Sequence, residues 1–164
     1  MDFEESYLVV NDTINCVFEE YKGQIEAING EMTLDLEKDV MVLGTALYLN
    51  SIISNLISNA IKYRSESRPL SIKVKSYKVK NELYLEIKDN GRGINLEMHK
   101  ERLFKMFNRF HDNVEGSGMG LYMAKGMIEK IGGSISLESK EGRGTTFYIK
   151  LKSNGKKIER NLIN

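Results

Sequence analysis

Three polar residues fall on one row of a single predicted helix. Asn55, Asn59 and Lys62 are spaced i, i+4 and i+7, so a helix places them along one side. Carboxamide oxygens can ligate Mg²⁺ and a lysine ammonium can meet a phosphate, but neither amide can act as a base. A solvated helix face gives the same pattern, and for this row taken alone it is the favoured interpretation.

A second candidate is the run Asp-Asn-Gly-Arg-Gly-Ile at residues 89–94, which follows a predicted strand. The Asp89 carboxylate can accept a hydrogen bond from an exocyclic amine such as that of adenine, whereas the guanine carbonyl at that place would be repelled. The alternative is a simple loop that needs positive φ at Gly91 and Gly93, with Asp89 capping it. The run alone does not separate the two interpretations.

The third candidate is the run Gly-Ser-Gly-Met-Gly-Leu at residues 116–121, which leads into a predicted helix. Exposed N–H groups at a helix start, with glycines that let an anion approach, form a phosphate site. The spacing fits neither the Rossmann fingerprint nor the P-loop. By itself this run is also typical of a flexible hinge.

Hydrophobic periodicity gives the elements that must position these residues. Asn11 or Asp12 is predicted to cap the first helix, Thr45 to begin the second, and the single proline, Pro69, to follow its end. The other predicted helices cover residues 103–110 and 119–131, and the strands cover residues 5–10, 32–36, 40–43, 70–74, 83–87, 134–138 and 145–151. The expected fold is an α/β two-layer sandwich. It has a mixed, mostly antiparallel sheet with about three helices on one face.

Composition restricts the class of protein. The 164 residues suit one domain, predicted to cover residues 1–151 and to be followed by a polar tail at residues 152–164. The net charge of +1 gives no reason to expect a nucleic acid partner. No apolar run approaches the length of a membrane span, so no direct membrane contact is expected, and a single cysteine, Cys16, fits a cytoplasmic setting.

The order of these motifs resembles the ATP-binding superfamily of gyrases, certain chaperones, mismatch-repair ATPases and histidine kinases, and the histidine kinase branch most of all. Residues 55–63 resemble its N box, residues 89–94 its G1 box, residues 103–110 its F box, and residues 116–121 its G2 box. The resemblance covers about residues 8–151. It implies the catalytic domain of a sensor histidine kinase, in the cytoplasm or as the cytoplasmic part of a membrane-bound sensor, with a mobile ATP lid over residues 95–116.

The resemblance also assigns roles to individual residues. ATP and Mg²⁺ are the implied cofactors, with Asn59 as the metal ligand and Lys62 and Arg109 near the phosphates, and Asn55, Lys62 and Arg109 are the candidate catalytic residues. The remaining implied nucleotide contacts are Tyr63, Asp89, Gly91, Gly93, Ile94, Gly116, Ser117, Gly118, Met119, Gly120, Leu121, Thr145 and Thr146.

Position 55 separates the branches of the superfamily. Where the ATPase members have a glutamate that activates water, this chain has Asn55, which favours transfer to a protein side chain over hydrolysis. The implied partners are a phosphoacceptor histidine domain of the parent kinase and, downstream, a response regulator. His99 and His111 both fall in the expected lid and are interpreted as exposed lid residues, so the acceptor histidine is expected on another domain.

Two other functions remain open from the sequence. The same fold serves serine kinases of the anti-sigma type, although the run Asn-Arg-Phe at residues 108–110 favours the histidine branch. A nucleotide-binding pseudokinase that only presents an interaction surface is the non-enzymatic alternative. The presence of Asn59, Lys62, Asp89 and Arg109 argues against it.

Overall fold

The computed structural model describes residues 6–102, residue 104 and residues 120–153. Its helices are α1 (Val10–Ala27), α2 (Ala46–Lys62), α3 (Leu96–His99) and α4 (Gly120–Lys130), with a 3₁₀ turn at Lys100–Arg102. Its strands are β1 (Ser6–Val9), β2 (Glu31–Asp35), β3 (Met41–Gly44), β4 (Ser71–Val79), β5 (Glu82–Asp89), β6 (Ser134–Lys140) and β7 (Gly144–Lys152).

The central sheet has five strands in the order β2-β4-β5-β7-β6. Only β2 and β4 pair in parallel, and the other three pairings are antiparallel. β1 and β3 form a separate two-stranded antiparallel sheet. The prediction of a mixed, mostly antiparallel sheet combined with helices is confirmed.

The core lies between this sheet and the helices α1, α2 and α4. α2 packs against both neighbouring helices and also contacts β5. Alternate residues of the central strands point into the core, and the apolar stripe of α2 covers them, as the period-2 and period-3.6 patterns predict. The fully buried side chains include Ile52, Ile53, Leu56 and Ile57 of α2, and Ile72, Val74, Leu83, Leu85, Ile87, Ile149 and Leu151 of the sheet.

The start of α2 agrees with the prediction from sequence. Thr45 is the N-cap residue, in an extended conformation, and its hydroxyl accepts a hydrogen bond of 3.1 Å from the backbone N–H of Tyr48. The helix ends at Lys62, before the segment that contains Pro69. These two ends fix which residues of α2 lie at its C-terminal turn, where Asn59 and Lys62 are located.

The start of α1 differs from the prediction. Val9 is the N-cap residue and makes no side-chain cap, whereas Asn11, a predicted cap, donates from Nδ2 to the carbonyl oxygen of Glu37 at 2.9 Å. β1 runs directly into the helix, and the backbone N–H of Val10 donates to Val40 at 3.2 Å. Because a neighbouring segment satisfies this N–H group, the helix can begin before the polar residues that sequence favours as caps.

The segment between β5 and α4 contains α3 and the 3₁₀ turn, neither of which the sequence predicted. The predicted helix at residues 103–110 and most of the predicted lid lie outside the described residues. In the part of the chain that is described, no helix is long and apolar enough to cross a membrane.

Candidate functional site

Two of the asparagines of α2, Asn55 and Asn59, face the beginning of α4. Asn55 and Asn59 are partly buried, and a Cβ atom placed on Gly120, the first residue of α4, would lie 4.0 Å and 3.7 Å from their Oδ1 atoms. Lys62, one turn further along α2, is exposed. The structure therefore places the amides of the second helix beside the glycine that opens the fourth.

These amides are available to a ligand. Across the described residues, the side chains of Asn55 and Asn59 make no hydrogen bond, and no three His, Cys, Asp or Glu side chains come together as a metal cluster. An oxygen-seeking cation at this place would be held by an amide oxygen together with oxygens of a bound ligand and water. Mg²⁺ is commonly bound in this way, by few protein oxygens together with phosphate groups.

Asp89 ends β5 on the side of the sheet that faces the helices. Its Oδ1 accepts a hydrogen bond of 2.8 Å from the backbone N–H of Gly91, and the backbone of Thr145 on β7 donates a second one. Burial raises the pKa of the Asp89 carboxyl above its ordinary value, and the two backbone donors offset part of that effect. A partly buried carboxylate has lone pairs beyond those that two backbone donors use, so it can recognise an amino group that water no longer solvates.

The glycines after Asp89 are required for two different reasons. Gly93 has φ +69°, a left-handed conformation, and a Cβ there would collide with the carbonyl oxygen of Lys140. Gly91 does not adopt a positive φ, which corrects the loop interpretation made from sequence. Its constraint is space, because a Cβ would lie 2.7 Å from the carbonyl oxygen of Tyr63 and 2.9 Å from Oδ1 of Asp89.

The Asp89 loop, residues 89–94, is bonded to the end of α2. The backbone N–H of Arg92 donates to the carbonyl oxygen of Tyr63 at 2.9 Å, and Nε of Arg92 donates to that of Arg64 at 3.2 Å. Tyr63 is the C-cap residue of α2. The helix that carries Asn55 and Asn59 and the loop that carries Asp89 are thus held in a fixed relation by one backbone and one side-chain hydrogen bond of Arg92.

The same loop is bonded to the β6–β7 turn, residues 141–143, and to the strands beside it. Ile94 donates its N–H to Oγ of Ser139 at 2.8 Å, and that hydroxyl lies 2.7 Å from Oγ1 of Thr145. Thr145 is buried, whereas Thr146 lines the outer face of the sheet beside Tyr148. Of the two threonines, the structure brings only Thr145 to Asp89, because successive residues of a strand face opposite ways.

Sequence reasoning missed two side chains in this region. Ser139 joins the Asp89 loop to β7, as it also donates to the carbonyl oxygen of Gly144 at 3.0 Å. Arg68, in the connection between α2 and β4, donates to the carbonyl oxygens of Asn90, Gly91 and Gly142. Neither residue stands in a motif, so the only available signal was the loop position of an arginine and of a serine at a strand end.

Several of the candidate residues are not among those that the structure describes. The residues outside the described part of the chain are Arg109, Gly116, Ser117, Gly118, Met119, His111 and the phenylalanines at 107 and 110. The described end of the glycine run comprises Gly120 and Leu121, and Leu121 packs against the core. His99 lies at the end of α3, with its Nδ1 atom 2.8 Å from Nη2 of Arg102.

Residues 44–155 match the family of histidine kinase-, DNA gyrase B-, and HSP90-like ATPases. The chain belongs to this family. The matched range includes α2, the Asp89 loop, α4 and the strands β4 to β7, which are the elements that bring the amides, the carboxylate and the glycines together.

Relatives of this chain include a phytochrome and a sensor protein. The chain is 38% identical over 121 residues to cyanobacterial phytochrome A of Nostoc sp. strain PCC 7120, covering 73% of this chain and 16% of that protein. It is 32% identical over 152 residues to the sensor protein RprX of Bacteroides fragilis, covering 88% of this chain and 28% of that protein. The chain therefore spans less than a third of the length of either relative.

The fold also agrees with that of solved structures. The mycobacterial sensor histidine kinase MprB superposes with a TM-score of 0.80 at 22% identity, over 92% of this chain and 98% of the other. At this level of identity the likeness concerns the fold. The prediction that the chain resembles a histidine kinase ATP-binding domain is confirmed by the family match and by the relatives together.

Proposed function

We propose that this domain binds Mg-ATP and transfers the γ-phosphoryl group to a histidine on a separate phosphoacceptor domain of a two-component sensor kinase. The observation that carries the proposal is the arrangement of Asn55 and Asn59 against Gly120, at one side of a family-specific fold whose other loop carries Asp89. The site thus has one set of groups suited to a cation and phosphates, and another suited to an amino-bearing base.

At the base end, Asp89 accepts a hydrogen bond from the exocyclic amine of adenine, and Tyr63 packs on the ring. Gly91 and Gly93 keep this wall open, because a side chain at either position would displace the neighbouring backbone. The raised pKa of Asp89 fits this role. A hydrogen bond to adenine would replace the water that burial removes from the carboxylate.

At the phosphate end, Asn59 is the proposed Mg²⁺ ligand and Lys62 the proposed phosphate contact. The Asn59 amide fits the metal because its oxygen lies beside the start of α4 and makes no hydrogen bond to another described residue. When bound, Mg²⁺ neutralises developing charge on the phosphate oxygens. The residues at 109 and 116–119 belong to the proposal through the family motif alone.

The chemistry at position 55 favours transfer over hydrolysis. Asn55 cannot accept a proton at neutral pH, so it does not activate a water molecule as a general base. In-line phosphoryl transfer depends mainly on positioning and charge stabilisation, for which Lys62 and Arg109 are the proposed groups. The acceptor side chain supplies the nucleophile, and in this proposal it lies on the partner domain, with a response regulator receiving the group afterwards.

The test has a binding step and a transfer step. Calorimetric titration with Mg-ATP should show saturable binding that is lost or strongly weakened in Asn59→Ala, while Asn15→Ala on the exposed side of α1 serves as the matched control. Incubation with radiolabelled ATP and a panel of isolated histidine-bearing domains should then give a labelled, acid-labile phosphoprotein.

Three results would contradict the proposal. The first is the absence of binding at millimolar ATP in the presence of Mg²⁺, which would remove the nucleotide site itself. The second is a phosphoprotein that survives acid, since phosphohistidine is acid-labile and phosphoserine is not. The latter result would select the serine kinase alternative, and ATP binding without any transfer would select the pseudokinase.

A further inference from the structure

Arg68 occupies an unusual position for a loop arginine. It stands one residue before Pro69, in the connection between α2 and β4, and is partly buried. Its Nε donates to the carbonyl oxygen of Asn90 at 2.8 Å, and its Nη2 donates to those of Gly91 at 2.8 Å and Gly142 at 3.0 Å. All three acceptors are backbone atoms, two in the Asp89 loop and one in the β6–β7 turn.

The guanidinium group is suited to this arrangement. Its donors are fixed in one plane, so Nη2 can reach one carbonyl on each of the two segments while Nε reaches a third. A lysine ammonium concentrates its donors on one atom at the end of a flexible chain and would satisfy fewer of the three carbonyls in this geometry.

Other hydrogen bonds hold the same loop and turn alongside the contacts of Arg68. Asn90 accepts from the N–H of Ser71 at 2.8 Å and donates to the carbonyl oxygen of Pro69 at 3.0 Å, which ties the loop to the same connection. On the other side, the N–H of Gly142 donates to the carbonyl oxygen of Arg92 at 2.7 Å. Arg68 is thus bonded both to the loop that carries Asp89 and to the turn that this loop contacts.

We infer that Arg68 is a positioning residue for adenine recognition, holding the backbone of Asn90 and Gly91 against the β6–β7 turn so that Asp89 keeps one orientation. The inference rests on the proposed function, because adenine is the ligand that Asp89 is proposed to recognise. Arg68 acts through the loop and makes no contact with the nucleotide. Its loss therefore alters the binding of the base more than the transfer of the phosphoryl group.

The test compares Arg68→Gln with Arg143→Gln, which removes the same charge from an exposed arginine in the β6–β7 turn. In the ATP-free protein, Arg68→Gln should raise the amide exchange rates of Gly91, Arg92 and Gly142 by about tenfold or more, as expected when charge-assisted hydrogen bonds are lost. Amides in the middle of α2 should exchange at the wild-type rate, and Arg143→Gln should leave all of these rates unchanged.

The kinetic measurement separates positioning from a merely structural role. In the transfer assay, Arg68→Gln should raise KM for ATP about tenfold while kcat at saturating ATP stays within about twofold, because the phosphate end is untouched. Arg68→Lys should give intermediate values, since one ammonium satisfies part of the set of carbonyls. If Arg68→Gln fails to fold, Arg68→Lys carries both measurements.

The two proposals fail in different ways. If wild-type protein binds ATP and Arg68→Gln leaves the exchange rates or KM unchanged, the positioning role is wrong and the proposed function stands. An equal loss of kcat and kcat/KM in Arg68→Gln would also overturn the positioning role. A lower melting temperature of this variant with an unaltered KM for ATP would do the same. If wild-type protein does not bind ATP, both proposals fall, and the exchange rates still report whether Arg68 orders the loop.

Discussion

Asp89 ends β5 on the helix side of the sheet, where burial raises the pKa of its carboxyl. The sequence identified this residue from its position between a strand and two glycines. It did not show how far water is excluded, because exclusion depends on β7 and the end of α2, which are distant in sequence. Because the pKa is raised, ionising Asp89 costs free energy in the folded protein, and this cost can be measured as a change in stability with pH.

Replacing Asp89 with Asn isolates this cost. Because the folded pKa is raised, ionisation lowers the stability of the native state as pH rises from the ordinary pKa of 3.8 through the raised value, and the full cost is present above that value. The free energy of unfolding of wild type relative to Asp89→Asn should therefore increase as the pH is lowered through that window. Urea unfolding from pH 7 to 4 checks this, and a difference that is independent of pH would contradict it.

The same substitution should weaken nucleotide binding. The amide keeps a neutral acceptor but loses the charge, so the Kd for ATP at pH 7 should rise by about tenfold, near the lower end of the contribution of a hydrogen bond to a charged group. Calorimetric titration of both proteins measures the change. A variant that is no less stable than wild type but binds ATP more weakly would separate recognition from folding.

A further prediction at the residue scale concerns the stability and ATP binding of a Gly91 variant. Gly91→Ala places a Cβ 2.7 Å from the carbonyl oxygen of Tyr63, which is backbone and cannot move away easily. We expect a loss of about 1–3 kcal/mol of stability, the usual cost of forcing extra volume into a packed region, together with weaker ATP binding. Gly126→Ala on α4, where a Cβ would meet nothing within 4 Å, is the control and should lower neither quantity.

At the scale of the element, α2 determines the position of the amides. Its apolar stripe is buried against the sheet, and this fixes the rotation of the helix about its axis. Asn55 and Asn59 then lie at the edge of the buried face, next to α4, whereas Lys62 reaches solvent. The periodicity predicted the apolar stripe and the row of polar residues. It did not predict that Gly120, from a different part of the chain, lies beside that row.

The ends and interiors of the helices allow a paired stability prediction. Thr45→Ala removes the hydroxyl that accepts from Tyr48 and should lower the free energy of unfolding by about 1 kcal/mol. Gly23→Ala, in the interior of α1 with open space around it, should raise that free energy by about 0.5–1 kcal/mol. Denaturant unfolding of the two variants measures both changes. Shifts of the same sign would show that local helix energetics do not control these sites.

At the scale of the whole molecule, the site is assembled from four segments that are distant from one another in sequence. α2, the Asp89 loop, the β6–β7 turn and the start of α4 meet because β5 and β7 are neighbours and α2 packs on α4. A ligand that contacts all four segments binds the folded state alone. Its binding should therefore stabilise the entire domain.

The corresponding prediction concerns thermal unfolding. With Mg-ATP at 100 times its Kd, the stability should increase by about 2.7 kcal/mol, and the melting temperature should rise with further nucleotide. Mg²⁺ without nucleotide should have little effect, because no cluster of acidic or histidine side chains occurs among the described residues. An equal rise with Mg²⁺ alone would argue against a site that is completed by phosphates.

The sequence by itself determined the local elements and the chemical types at the site. The apolar periods are strong in α2 and in β4, β5 and β7, so their existence follows from patterns that each segment carries alone. The motif order predicted the family, which the comparisons confirmed. The start of α1 was predicted wrongly because the carbonyl oxygen of Val40, just before β3, rather than a capping side chain, accepts from the N–H group of Val10.

Only the tertiary structure decided how the site is held together. Arg68 and Ser139 stand in no motif, and their importance lies in carbonyls and amides that are up to 74 residues away in sequence. The register of β7 with β5 determines that Thr145, and not Thr146, contacts Asp89. Position 91 requires a glycine because the backbone of Tyr63 lies close to it. Contacts of this kind depend on long-range packing, and no local pattern of residue types records them.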